Sequence, residues 1–213
     1  MQSIILDNSD ESIQYAVNCL KNGNIGIFPT DTVYGIGCDS LNINAISSLY
    51  IAKKRNLSNP INILVSNLKM IENFVISINE IQKILINKFW PGPLSIIFKK
   101  SELVPDILTA NLKTVGIRMP NNKLCLNLIN KFGFPIATSS ANISGKQPYI
   151  MINKDLIDDF KNHANFIIDD GKIEFGIPST IVSIEENYVK ILRNGSISKE
   201  DISKALGGKV DVR

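Results

Sequence analysis

Short apolar runs alternate with amphipathic helical patterns along the whole chain, and this alternation constrains the fold more than any other feature. Ile13, Ala16, Val17 and Leu20 follow helical spacing, so residues 11–21 read as an amphipathic helix closed by Gly23. Residues 25–28 form a short apolar strand running into Pro29. Asn44 is placed to cap a second helix carrying Ile46, Leu49 and Tyr50 on one face. A strand at 61–65 precedes a helix bearing Ile81, Ile84, Leu85 and Phe89, which Pro91-Gly92-Pro93 stops before a strand at 94–98. A strand at 115–119 leads to a helix using Leu124, Cys125, Leu128, Ile129 and Phe132. Strands follow at 134–138 and 166–168, with a helix before the latter. Strands at 180–184 and 188–192 read as a hairpin around Glu185-Glu186-Asn187, and a helix over 199–206 closes the chain. Strands and helices mixed with hairpins predict one α/β domain with a mixed, not purely parallel, twisted sheet and flanking helices.

Composition narrows the chemistry. With 213 residues, 44% hydrophobic and 20% charged, the chain has ordinary globular usage and enough length for a real core. Cys19, Cys38 and Cys125 are odd in number and far apart, so no disulfide framework or zinc half-site is expected. The single histidine, His163, lies in a polar stretch, which removes most metal-hydrolase and Ser-His or Cys-His readings. Residues 1–12 lack the basic-then-apolar pattern of a signal peptide, and no apolar run is long enough to span a bilayer. The expectation is a soluble, cytoplasmic protein with no membrane partner.

A net charge of +3 is far from the basic blocks of a dedicated nucleic-acid arm, so no stable DNA binding is expected. The 19 lysines and four arginines are more telling. Where arginine survives such a bias, a planar bidentate donor is required; Arg55, Arg118 and Arg193 are the candidates, Arg213 being the last residue.

Four polar segments lie beside the predicted strands. Residues 29–39 carry hydroxyls and a carboxylate, read as an irregular connection able to hold a polar ligand. Gly35-x-Gly37 within it completes neither a dinucleotide fingerprint nor a phosphate loop. Lys53-Lys54-Arg55, at a helix carboxyl end, either complements the helix dipole or clamps phosphate. Arg118, alternating out of an apolar strand, needs an acidic partner, either a protein carboxylate or a ligand's. Residues 138–145 are either a serine-rich turn or a ligand cradle, and Ser179-Thr180 and Arg193 repeat the theme late in the chain. Hydroxyl plus arginine without a nucleophile favours charge stabilisation of phosphate.

Taken in order, Pro29-Thr30-Asp31-Thr32-Val33-Tyr34-Gly35, Lys53-x-Arg55 with Asn59-Pro60, Trp90-Pro91-Gly92-Pro93-Leu94, Val115-x-Ile117-Arg118-Met119-Pro120, Ser140-Ala141-Asn142-Ile143-Ser144-Gly145, Ser179-Thr180-Ile181 and Leu192-Arg193-x-Gly195 resemble the YrdC-like threonylcarbamoyl-AMP synthases over about residues 10–206. The resemblance implies a single catalytic domain over 1–213, of the short form without an extra carboxyl-terminal domain, around a positively charged cavity. It implies ATP, L-threonine and bicarbonate as substrates, with magnesium accompanying ATP through ligands the sequence does not identify. Threonylcarbamoyl-AMP and pyrophosphate would be the products, the former passed to a tRNA threonylcarbamoyl transferase complex for N6-threonylcarbamoyladenosine formation. By the same resemblance Lys53 and Arg55 are the catalytic cations facing the triphosphate, with Leu57 and Asn62 contributing. Thr30, Arg118, Thr138 and Ser179 would hold threonine, while Thr114, Ser140 and Arg193 would touch the nucleotide. Many members have Lys where this chain has Asn59, and several have His where it has Leu64, so one cation and one polar contact are missing.

Two other readings compete. One is a non-catalytic RNA-binding accessory protein of the same fold, disfavoured by the low net charge and the lack of a basic stripe interleaved with aromatics. The other is a domain making a carbamoyl-adenylate without threonine, a type that resides in large multidomain chains.

Overall fold

The computed structural model describes residues 3–213. In chain order the elements are β1 (Ile4–Leu6), α1 (Asp10–Lys21), β2 (Gly26–Phe28), β3 (Gly35–Asp39), α2 (Ile43–Lys53), β4 (Asn62–Leu64), a 3-10 turn (Leu68–Ile71), α3 (Glu80–Phe89), β5 (Leu94–Lys99), β6 (Thr114–Arg118), α4 (Lys123–Phe132), β7 (Ile136–Ser140), α5 (Lys154–Phe160), β8 (Phe166–Ile168), β9 (Thr180–Ile184), β10 (Tyr188–Arg193), α6 (Lys199–Ala205) and β11 (Asp211–Val212). The strands form one mixed sheet in the order β1-β8-β2-β3-β7-β4-β6-β5-β9-β10-β11. The expected α/β class and the late hairpin hold, with β9 and β10 antiparallel.

The sheet separates two apolar layers, and single strands feed both. Ile27 faces one layer and Phe28 the other; Ile63 and Leu64 divide likewise, as do Ile167 and its neighbours Phe166 and Ile168. That is the period-two alternation of a sheet covered on both faces. One layer is roofed by α1 and α4 through Ile13, Val17, Leu20, Leu124, Leu128 and Phe132. The other packs residues of α2, α3, α5 and α6, including Leu49, Leu85, Leu156 and Ile202. Asparagine side chains cap four of the six helices, at Asn42, Asn79, Asn122 and Asn153, each accepting a backbone N–H of the first turn.

Three local expectations change. The cap of α2 is Asn42 rather than Asn44, because the helix begins two residues earlier, at Ile43. The half of segment 29–39 read as irregular is strand β3 from Gly35 onward. Its glycines signal close packing rather than a loop, since a Cβ on Gly37 would lie 2.6 Å from the Ala137 carbonyl of neighbouring β7. The strand expected at 134–138 begins at Ile136, leaving Phe134 half exposed before Pro135, which has no N–H to give the ladder. No helix among the described residues is long and apolar enough to cross a membrane.

Candidate functional site

Seven consecutive strands of the sheet, β3-β7-β4-β6-β5-β9-β10, lend their ends or flanking residues to one open cleft. Thr30, Arg55, Asn62, Arg118, Thr138, Ser140, Ser179 and Arg193, eight of the site residues expected from sequence, all line it. Segments more than a hundred residues apart therefore meet in one place.

Each arginine is held differently. Arg55 follows the end of α2, where Lys54 adopts a left-handed φ of 51° and turns the chain. Its Nε donates to the Asn59 carbonyl at 3.0 Å and its Nη2 to that of Pro60 at 2.9 Å. Arg193, at the end of β10, donates Nε and Nη2 to the Ser179 carbonyl at 3.0 and 2.8 Å, and Nη2 also to the Ser179 hydroxyl at 2.9 Å. Ser179 in turn shares a hydrogen bond of 3.1 Å with Ser95. Arg118 donates Nε to the Gly92 carbonyl and Nη1 to the Thr32 hydroxyl, each at 3.0 Å, and pairs through Nη2 with Asp31. The acidic partner left open by the sequence is thus a protein carboxylate, and the guanidinium still lines the cleft.

All charged residues lining the cleft are arginines. Burial pushes each of their pKa values down. For Arg193 the fields of Arg118 and Arg55, which line the same cleft, add to that. Asp31 opposes the shift at Arg118. All three stay protonated, arginine being so strong a base.

The hydroxyls are oriented from within. Thr30 donates to the Val33 carbonyl at 2.6 Å and accepts from the amides of Thr32 and Val33, pinning the turn before β3. Ser140 donates to Asn142 Oδ1 at 2.5 Å, and Asn142 Nδ2 bonds the carbonyls of Ile143 and Lys146. Gly116 leaves room for Asn62, whose Oδ1 lies only 2.1 Å from where a Cβ would stand.

Three expected site residues lie outside the cleft lining. Lys53 is 1% exposed, and its ammonium donates inward to the carbonyls of Ser140 and, at 2.6 Å, Asn142. Burial, with the field of Arg55, pushes its pKa down to about 7, while the two carbonyls favour the charged form. Lys53, the last residue of α2, is buried with that helix's inner face, and left-handed Lys54 turns the chain before Arg55. Leu57 is largely exposed in the following loop. Thr114 begins β6, half buried opposite Lys99 at the far end of the strand from Arg118.

Sequence reading missed several lining residues. Ser95, 1% exposed, lies within the strand read at 94–98, and a serine in so apolar a strand was the available signal. Tyr34 lines the cleft and is fully buried, its hydroxyl donating to the Gly171 carbonyl at 2.7 Å and accepting the Asp170 amide at 3.1 Å. Burial pushes its pKa up to about 12. Leu64 also lines the cleft, so the position at which the resemblance implies a histidine lies within the site itself. Asn59 contributes its carbonyl, to Arg55 and to the Tyr50 hydroxyl at 3.0 Å.

Comparison with known proteins identifies the family and the fold. The Sua5–YciO–YrdC family model, described as "Telomere recombination", matches residues 18–195. The chain is 37% identical over 195 residues to the threonylcarbamoyl-AMP synthase of Pyrococcus abyssi, covering 92% of this chain and 57% of that protein. It is 36% identical over 203 residues to the Bacillus subtilis enzyme of the same name, covering 95% and 58%. The chain thus spans a little under three fifths of the length of these curated relatives. The crystal structure of P. abyssi Sua5 complexed with L-threonine superposes with a TM-score of 0.93 at 34% identity, covering 100% of this chain and 63% of that one.

Proposed function

Because the chain belongs to the Sua5–YciO–YrdC family, we propose that it is an L-threonylcarbamoyladenylate synthase, joining L-threonine, bicarbonate and ATP. The observation that carries this reading is a cleft whose charged lining residues are three arginines, surrounded by hydroxyls, with neither histidine nor cysteine among its walls. Such a site is suited to stabilising phosphate charge, and it offers no imidazole or thiol to activate or supply a nucleophile.

Threonine's amine adds to bicarbonate to give a carbamate and water. A carbamate oxygen then attacks the α-phosphorus of ATP, and pyrophosphate leaves. Negative charge grows on phosphoryl oxygens, so Arg55 and Arg193, held by neutral carbonyl and hydroxyl groups, are suited to receive it. Arg118 presents its two uncommitted N–H groups to threonine's carboxylate, with Thr138 and Ser179 beside it. Lys53 supports the turn that presents Ser140 and does not itself meet the triphosphate.

Magnesium fits only as the companion of ATP. Among the described residues no group of three or more His, Cys, Asp or Glu side chains is arranged to hold a metal ion. Asp31, beside the cleft lining, is engaged by Arg118. Magnesium characteristically reaches such sites on substrate phosphates, keeping several waters. The product would pass to a tRNA threonylcarbamoyl transferase complex in the cytoplasm.

The test is pyrophosphate release from ATP with and without threonine and bicarbonate. Release is expected only with all three present. Rapid release with ATP alone would indicate a different adenylating or hydrolytic enzyme, and no release under any condition would return the RNA-binding reading. Arg118→Lys, which loses the fork, should weaken threonine by about ten- to a hundredfold, the equivalent of roughly 1.5–3 kcal/mol. Arg55→Lys should weaken ATP more than threonine. Equal losses of both ligands in each variant, measured by calorimetry, would defeat the assignment.

A further inference from the structure

The three guanidiniums at the cleft differ in what neutralises them. Arg55 and Arg193 are anchored by carbonyls and a hydroxyl, and neither forms an ion pair with a carboxylate among the described residues. Each keeps its full charge for a ligand. Arg118 is paired with Asp31, and the two side chains are only 7% and 8% exposed, so little water screens them. Asp31 is not among the residues lining the cleft. It therefore acts on a ligand through its field and through Arg118, not by touching it.

We propose that Asp31 sets the anion selectivity of the cleft: by cancelling the charge of Arg118, it reserves that subsite for a net-neutral zwitterionic amino acid and confines polyphosphate to Arg55 and Arg193. The proposal rests on the amino-acid and nucleotide reading above. A polyanion is drawn to every unpaired guanidinium in proportion to its charge, whereas an amino-acid zwitterion carries no net charge to compete with it. Three bare arginines within one cleft would let ATP or pyrophosphate occupy the amino-acid subsite. The Asp31–Arg118 pair removes that long-range attraction. It does not remove short-range recognition, because three of the five guanidinium N–H groups are spent on Gly92, Thr32 and Asp31, leaving two for a carboxylate at contact distance. The arrangement is a subsite that is neutral from afar and a donor close up. Asp31 is therefore a positioning and selectivity residue.

The test measures inorganic pyrophosphate and L-threonine binding by calorimetry on the full chain, with a melting curve for each variant. Asp31→Asn, nearly isosteric, leaves Arg118 unpaired. It should bind pyrophosphate about fivefold more tightly or better, the scale of one added charge at contact distance. Pyrophosphate should then displace threonine in that variant and not in the wild type. Asp31→Asn combined with Arg118→Gln makes the pair neutral again and should return pyrophosphate affinity to the wild-type level. Should Asp31→Asn alone fail to fold, Arg118→Gln supplies the other arm: its unpaired carboxylate should weaken pyrophosphate, and adding Asp31→Asn should restore it. Unchanged or weaker pyrophosphate binding in folded Asp31→Asn, or no restoration in the double variant, overturns the proposal. A wild type that binds pyrophosphate and not threonine would instead reject the amino-acid reading, with the pyrophosphate arm still deciding the role of Asp31.

Discussion

Replacing Lys53 by methionine keeps most of the side chain's length and removes its ammonium. In the native protein that group is buried beneath the cleft, and its pKa falls from the ordinary 10.5 to about 7. The unfolded chain therefore holds a proton that the native state gives up near neutrality. Between those two values the unfolded state binds more protons, so stability rises with pH and is lost again as pH falls toward 7. Worked through the linkage relation, the wild type gains about 1.6 kcal/mol between roughly pH 7.0 and 8.5 from this one group. The carbonyls of Ser140 and Asn142 favour the charged form, which makes about 1.6 kcal/mol an upper value. Urea unfolding of wild type and Lys53→Met at both pH values isolates the effect, since every other titration is common to the two proteins. The gap should move in favour of the wild type as pH rises. Parallel behaviour, or a gap moving the other way, would show that Lys53 stays charged in the native state and that burial is not what governs it.

Gly195→Ala forces a Cβ to within 2.3–2.4 Å of the backbone of residues 178–180, so it should cost about 1–3 kcal/mol and loosen the Arg193–Ser179 contact; an unchanged melting temperature would refute this. Cys19, Cys38 and Cys125 are all buried, and burial pushes the Cys38 and Cys125 thiols well up. A thiol reagent near neutral pH should find none of them quickly in native protein and all three after denaturation, and a fast native thiol would contradict the packing. His163 is outside the cleft lining, so His163→Ala should leave turnover within a few-fold; a loss of about a hundredfold, the scale of general acid–base catalysis, would overturn the mechanism.

The elements that the sequence disclosed are those whose local signals and tertiary packing agree. The α1 and α4 stripes were readable because each helix buries one face against the other and the sheet, so helical spacing and burial coincide. Strand β3 was not, because its glycines are chosen for close approach to β7, a neighbour a hundred residues away. At the site, the arginines and hydroxyls were legible as residue types against a lysine-rich background. Their partners were not. That Arg118 meets Asp31, that Ser95 meets Ser179, and that Lys53 turns inward while Arg55 turns outward depend on strand order and on one left-handed residue. Local pattern does not encode either.

Strand β8, residues 166–168, is inserted between β1 and β2, which belong to the first thirty residues. During synthesis, β2 must therefore wait with one edge unpaired while nearly 140 further residues are made, a delay on the order of ten seconds at ordinary elongation rates. β5 waits in the same way for β9, and the cleft gains Ser179 and Arg193 only then. Premature termination anywhere before about residue 180 would release a chain with open, apolar strand edges and no ligand to close around. Such a product is a candidate for aggregation and for chaperone capture. For this topology, the exposed interval on the ribosome runs from the second strand to the ninth.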